Sequence, residues 1–199
     1  MPGTYHSSFN GVAGVAEVAG FPLLPIRSRG AAAGQMTKGP APLVEAPAGA
    51  GAAAAAGAEP AADEDLVDEA LRLFRANVMF RNFEILGAGD RALIYLCLFT
   101  HQCLKRVEKK PARADAAREL AQLAQSAHVI PGDSGWPLGA LIAAPKGAAE
   151  AEQLRMLFRQ WREALVPRLL DRLYSGPEGA LNKHWIMFAK RKFMNKEFV

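Results

Sequence analysis

The stretch of residues 90–109 constrains the fold most, because its large side chains are apolar on most sides of a helix. Between Gly87-Ala-Gly89 and Pro111 the sequence predicts one helix, with Asp90 as its N-cap. A helix that is apolar all round has to be surrounded by other elements. The longest apolar run, residues 92–99, is about half the length that a bilayer requires. We therefore expect the central helix of a globular domain and no membrane insertion.

Four further helices are predicted around it. The first starts near Asp63 or Asp65 and ends before Gly87, and we expect its first acids to complement the helix dipole in solvent. These acids are Asp63, Glu64, Asp65, Asp68 and Glu69. The others cover about 112–127, 148–174 and the region from 181, with Pro167 kinking or dividing the long one. Trp161, at helical spacing among leucines, is predicted to be core.

Residue usage supports an all-α fold. Strand-favouring Thr, Val and Ile number only three, ten and six, whereas the helix-favouring Ala, Leu, Glu, Lys, Arg and Gln are plentiful. We predict a single compact helical domain of about five helices over residues 63–199. An extended N-terminal arm, residues 1–30, precedes it. Residues 31–62 form a low-complexity flexible loop that contains a disordered Ala/Gly-rich insertion, since they offer almost no large apolar side chain to bury.

Signatures of catalysis and of cofactor or metal binding are sparse. The chain has no C-x-x-C pair, no H-E-x-x-H motif and no glycine-rich phosphate loop. Cys97 and His101 share one helical face, which suits half of a metal site, a thiolate–imidazole pair or, more simply, two residues of a buried helix. Cys97 and Cys103 point in different directions on that helix, so we expect two free thiols. We predict no enzyme, no cofactor and no metal site.

The C-terminal region carries the excess charge. Residues 181–199 hold five Lys or Arg and one acid, a net +4, which equals the charge of the whole chain. Trp185, Phe188, Phe193 and Phe198 alternate with these cations. A solvated face, nucleic-acid or membrane contact, and protein docking are the three interpretations, and we favour docking on an acidic protein.

The predicted partner-binding residues follow from that interpretation. They are Lys190, Arg191, Lys192, Phe193, Asn195, Lys196 and Trp136. Trp136 stands in a Pro/Gly-rich loop, where it either anchors the loop to the core or contacts a partner.

Eight short segments, in order and spacing, resemble the actin-related protein 2/3 complex subunit 3 family. They are Tyr5-His-Ser-Ser-Phe9, Leu24-Pro-Ile-Arg-Ser28, Lys38-Gly-Pro-Ala-Pro42, Asp65-Leu-Val-Asp-Glu-Ala70, Phe74-Arg-Ala-Asn-Val78, Asp90-Arg-Ala-Leu-Ile-Tyr95, Ile130-Pro-Gly132 with Trp136-Pro-Leu138, and Lys190-Arg-Lys-Phe-Met-Asn-Lys196. Two regions depart from the family: the linker between Ser28 and Asp65 is longer than usual, and residues 112–127 resemble it little.

The resemblance implies a non-catalytic, all-helical subunit of the complex that nucleates branched actin filaments in the cytoplasm and cytoskeleton. It further implies docking on actin-related protein 3, association with the other subunits, and contact with the mother actin filament. No nucleic acid is expected as a partner. The alternative that the residues leave open is a small helical nucleic-acid-binding protein that uses the same basic segment.

Overall fold

The computed structural model describes residues 4–28, 36–45, 64–110 and 112–198. It confirms a mostly helical domain with five α-helices: α1 Leu66–Asn77, α2 Ala88–Val107, α3 Arg113–Gln125, α4 Ala148–Leu173 and α5 Lys183–Ile186. Most of the predicted loop 31–62, including its Ala/Gly-rich part, lies outside the described residues. The division of the chain into arm, loop and helical domain stays a prediction.

Helix α2 is the central helix, as predicted. Its residues 92–99 are almost completely buried, and α1, α3 and α4 all contact it. Ring packing fills the space between α2 and α4, where Tyr95 stacks on Phe158 with centroids 3.7 Å apart. Trp161, beside Phe158, has no exposed surface, which confirms its place in the core. Burial of each such large side chain contributes about 1.5–3 kcal/mol to folding.

The first turn of α1 is buried, which corrects the expectation that its acids are solvated, while Asp65, Asp68 and Glu69 do lie at the positive end of the helix dipole as predicted. Asp63 lies outside the described residues. Asp65 is the N-cap and accepts hydrogen bonds from the Val67 and Asp68 amides, each at 3.0 Å. Arg168 of α4 donates to the same carboxylate at 2.8 Å. Burial alone would raise the pKa of Asp65, but the hydrogen bonds and charge of Arg168 outweigh it and lower the pKa. The acids of this turn therefore fasten other parts of the chain.

Two predicted helix ends are also corrected. Helix α1 ends at Asn77 instead of reaching Gly87. Helix α2 begins at Ala88 with Gly87 as its N-cap, so Asp90 lies inside the first turn. The Asp90 carboxylate cannot cap α2 in this position, because it accepts hydrogen bonds from the amides of Ser7 and Leu86 at 2.8 and 2.9 Å.

Helix α4 continues through Pro167 without division. Leu165 and Leu169, on either side of the proline, are both fully buried. Core packing of both halves offsets the cost of roughly 3 kcal/mol that a proline imposes inside a helix.

Four short strands precede the helices in the N-terminal part of the described residues, three in the predicted extended arm and the fourth in the predicted loop 31–62. Strands β1 (Glu17–Val18) and β2 (Phe21–Pro22) pair antiparallel, with Val18 opposite Phe21. The two residues between them, Ala19 and Gly20, both have positive φ, as a tight hairpin turn requires. Strands β3 (Ile26–Ser28) and β4 (Leu43–Glu45) pair in parallel. Buried Phe21 and Ile26 attach this part to the helical core.

Candidate partner-binding surface of the C-terminal segment

The C-terminal segment, defined here as residues 183–198, is a chain of single turns rather than one long helix. Helix α5 is four residues long, and Asn182 caps it by accepting a hydrogen bond from the His184 amide at 3.0 Å. Two 3₁₀ turns follow, Met187–Lys190 and Phe193–Asn195. The sequence predicted that a helix starting near residue 181 would carry the basic and aromatic C-terminal residues, whereas the observed helix is only four residues long.

The aromatic rings of the C-terminal segment face the helical core. Trp185 stacks on Phe74 of α1 with centroids 5.9 Å apart and planes at 4°. Phe193 is completely buried and meets Phe83 edge-on at 5.7 Å. Rings in these geometries contribute beyond their buried area. They hold the segment in place.

Backbone contacts fix the path of the segment between the rings. His101 Nε2 lies 3.0 Å from the Ala189 carbonyl oxygen, to which it donates, and the Met194 amide donates to the Phe80 carbonyl at 3.0 Å. Burial lowers the pKa of His101, so the imidazole stays neutral. Met194 and Asn195 both have positive φ, at 53° and 55°. Each costs on the order of 1 kcal/mol for a residue other than glycine, which the surrounding contacts must offset.

Glu197 ties the segment to α2. Its carboxylate accepts a hydrogen bond from Lys105 Nζ at 2.8 Å and a second from Lys192. The hydrogen bonds of Lys105 and Lys192 lower the pKa of Glu197 to about 2. Of Lys190, Arg191 and Lys192, only Lys192 forms an ion pair with a described residue.

The remaining cations of the segment are exposed. Lys190, Arg191 and Lys196 have no ion pair with any of the described residues. Asn195 is also exposed, on the turn between them. Five predicted partner-binding residues are therefore exposed: Lys190, Arg191, Lys192, Asn195 and Lys196.

The other two predicted residues lie inside. Phe193 is beneath the turn, where its ring serves internal packing. Trp136 is only 8% exposed and stacks near Tyr95 and Phe158, with Phe198 of the C-terminal segment 6.1 Å from it. In this arrangement Trp136 anchors its loop and supports the segment from below. A role for either ring in partner contact stays a prediction.

Sequence reasoning missed an exposed apolar component. Met187, within the segment, is 57% exposed, and Met79, at the end of α1, is 55% exposed. Met79 adjoins Phe80, whose carbonyl binds Met194. Exposed methionines beside cations are common at protein interfaces. The sequence signal was weak, since each methionine stands next to a phenylalanine, and a Phe–Met neighbour pair is as common in a core as on a surface.

Other chemistry finds little support at the positions considered. Burial raises the pKa of the Cys97 thiol, which opposes thiolate formation, and His101 is engaged with Ala189. Within residues 4–28, 36–45, 64–110 and 112–198, no three His, Cys, Asp or Glu residues are grouped as a metal site would need. None of the helices in those ranges has the length and hydropathy of a membrane span.

Comparison with known proteins gives one consistent family. The family model described as "P21-Arc: ARP2/3 complex ARPC3 (21 kDa) subunit" matches residues 1–198. "Actin-related protein 2/3 complex subunit 3" of Dictyostelium discoideum is 41% identical over 193 residues, 96% of this chain and 98% of the relative. The proteins of the same name from Schizosaccharomyces pombe and Arabidopsis thaliana are 39% and 38% identical, over 98% and 96% of this chain and 99% and 97% of their own lengths.

Proposed function

Because the chain belongs to the P21-Arc family of ARP2/3 complex subunits, we propose that it is a non-catalytic structural subunit of that complex, which supports actin filament nucleation and branching. In finer detail, it docks on actin-related protein 3 and contacts the mother actin filament. Its place is then the cytoplasm and the cytoskeleton. The exposed cationic surface of the C-terminal segment is the observation that supports these contacts best.

The segment is suited to docking because its fixed structure does not depend on its free charges. Buried Phe193 and the Glu197 ion pairs hold the backbone, while Lys190 and Arg191 stay exposed and unpaired within the described chain. A preorganised surface loses less conformational entropy on binding than a mobile tail would. Exposed cations steer association toward an acidic partner, and the neighbouring Met187 offers apolar contact.

The nucleic-acid alternative is less well supported. Sequence-tolerant binding of single strands uses aromatic rings on which bases stack. Here Trp185 and Phe193 are packed against Phe74 and Phe83 and have little or no free face. A basic surface without available rings favours an acidic protein.

Assembly is tested by purifying the tagged full-length chain from cells with its partners. Mass spectrometry should recover both actin-related proteins and the other subunits in equimolar amounts. Purification of the chain alone, without any of them, would overturn the proposed membership of the complex.

Contact with the filament is tested with the reconstituted complex. Lys190→Glu/Arg191→Glu should lower branch density, while a Lys109→Glu/Lys146→Glu variant, equal in charge change and also at exposed positions, should not. Lys192 is left unchanged because its substitution would also disturb Glu197. Retention on DNA and RNA at two salt concentrations is measured in parallel, since strong salt-dependent retention without filament binding would favour the alternative.

A further inference from the structure

A cavity of about 210 Å³ lies beside the C-terminal segment. Its wall includes Gln102 and Arg106 of α2, His128 of the loop that follows α3, and Arg162 of α4. Phe198 of the C-terminal segment closes one side. None of the described residues that line it is acidic.

Arg162 places a buried positive charge at this cavity. The residue is only 3% exposed, and its guanidinium lies 4.4 Å from the centre of the Phe99 ring and donates to the Ser126 carbonyl at 3.3 Å. No carboxylate of the described chain forms an ion pair with it. A buried cation is costly unless an anion accompanies it.

The pKa of His128 is also influenced by the positive charge at this cavity. Burial, together with the charges of Arg162 and Arg159, lowers this pKa to about 4. Nearby acids do not offset these charges at the cavity: Asp133 is bound to Arg155, and Glu119 is bound to Arg106. Arg162 is therefore a buried positive charge at the cavity with which no described carboxylate forms an ion pair.

Three lining residues also carry a buried polar atom without a hydrogen-bond partner. They are Arg162 Nε, His128 Nε2 and Gln102 Oε1. The Nδ1 atom of His128 lies 3.2 Å from the Ser126 carbonyl oxygen and donates to it, so Nε2 of the neutral ring is an acceptor. The wall thus offers one cationic donor and two acceptors. Each buried group left unsatisfied costs about 1–3 kcal/mol.

We propose that this cavity is a binding site for a phosphate group, with Arg162 as its buried cation and Arg106 at its rim. A phosphate that retains one proton supplies anionic oxygens to the guanidinium groups and an O–H to His128 or Gln102. A carboxylate supplies only acceptors at neutral pH and leaves both protein acceptors unpaired. The phosphate comes either from a small free phosphate compound or from a phosphorylated side chain.

Calorimetric titration of the full-length chain with inorganic phosphate tests the site, against sodium chloride at the same ionic strength. Arg162→Gln should weaken phosphate binding about tenfold or more, since hydrogen bonds to charged groups contribute about 1.5–3 kcal/mol. Arg106→Gln, at an exposed rim position, should weaken it to a smaller extent. Arg113→Gln on α3, which loses a surface ion pair outside the cavity, should bind as the unaltered chain does.

The His128 ring resonances give a second readout that does not depend on the Arg162 variant folding. Phosphate should raise the His128 pKa and shift its resonances, while exposed His184 should not respond. Absence of phosphate binding beyond the chloride control, or equal binding by the Arg106 and Arg113 variants with His128 unaffected, would overturn the proposal. A blocked phosphoserine peptide that binds in competition identifies a modified side chain as the source, and inorganic phosphate binding alone identifies a small free phosphate.

Discussion

The two ends of the described chain are both attached to the helical core, but by opposite kinds of contact. The N-terminal segment, residues 4–11, is held by buried carboxylates: Glu69 accepts from the hydroxyls of Ser7 and Ser8 at 2.5 and 2.6 Å. Asp90 accepts from the Ser7 amide and pairs with His6. The C-terminal segment is held mainly by rings and leaves its cations outside.

The difference bears on the proposal that the C-terminal segment binds a partner. At the N-terminal segment the polar groups form hydrogen bonds within the chain. Gly89 packs closely against this segment, because a Cβ there would lie 2.6 Å from Ser7 Oγ. At the C-terminal segment attachment relies on Phe193 and leaves Lys190 and Arg191 available. Charge can serve recognition where apolar contacts already provide the stability.

The largest effect should come from removal of the central ring of the C-terminal segment. Phe193→Ala opens a cavity beside Phe83 and should lower the free energy of unfolding by about 3–5 kcal/mol. Urea denaturation measures the change. Lys190→Ala is the control and should leave the midpoint unaltered, because its side chain is exposed. Equal, small effects of the two variants would show that rings do not hold this segment.

An intermediate effect is expected at the other end. Glu69→Gln exchanges one carboxylate oxygen for an amide nitrogen that cannot accept from Ser7 or Ser8, so it should cost about 1–3 kcal/mol. Glu84→Gln, at an exposed position, is the matched control. Hydrogen exchange should show that only Glu69→Gln loosens residues 4–11. Unchanged protection there would mean that the N-terminal segment is held by other contacts.

Acidification should weaken the core beside the C-terminal segment. The pKa values of His101 and His128 are lowered in the folded chain, that of His128 to about 4. The unfolded chain therefore binds more protons below pH 6.5, and stability should fall as the pH decreases from 6.5 toward 4. We expect a loss on the order of 1 kcal/mol between pH 7 and pH 5 in urea midpoints. A His101→Gln/His128→Gln variant should show a flatter profile; an unaltered slope would contradict the assignment.

The smallest stability effect is expected at Glu197. Its ion pairs with Lys105 and Lys192 are largely exposed, so Glu197→Gln should cost less than about 1 kcal/mol in urea denaturation. Salt should reduce even that difference. A cost as large as that of Phe193→Ala would show that the ion pairs, and not the rings, attach the segment.

Much of the helical framework could be predicted from local sequence. The Asp65 cap and the approximate extents of α3 and α4 follow from signals within a few residues, such as Pro111 before α3. The end of α1 at Asn77 could not, because the Asn77 side chain binds Tyr5, 72 residues away in the sequence. The acids of α1 are likewise buried by contacts with partners that are far away in the sequence.

The candidate site was only half predictable for the same reason. The exposed cations of the C-terminal segment could be identified from charge alone, since Lys and Arg are mostly found at the surface. Which rings face inward depends on Phe74, Phe83 and Tyr95, and these contacts link residues that are far apart in the chain. Local sequence could therefore mark Phe193 as important but could not tell internal packing from partner contact.

Branch density in the reconstituted complex, measured together with the urea midpoint of the isolated subunit, tests the central claim most directly. We expect Lys190→Glu/Arg191→Glu to reduce branching sharply and to leave the urea midpoint within error of that of the unaltered chain. We also expect that the Lys109→Glu/Lys146→Glu control changes neither quantity. Normal branching by the Lys190→Glu/Arg191→Glu complex would contradict the claim that these exposed cations bind a partner.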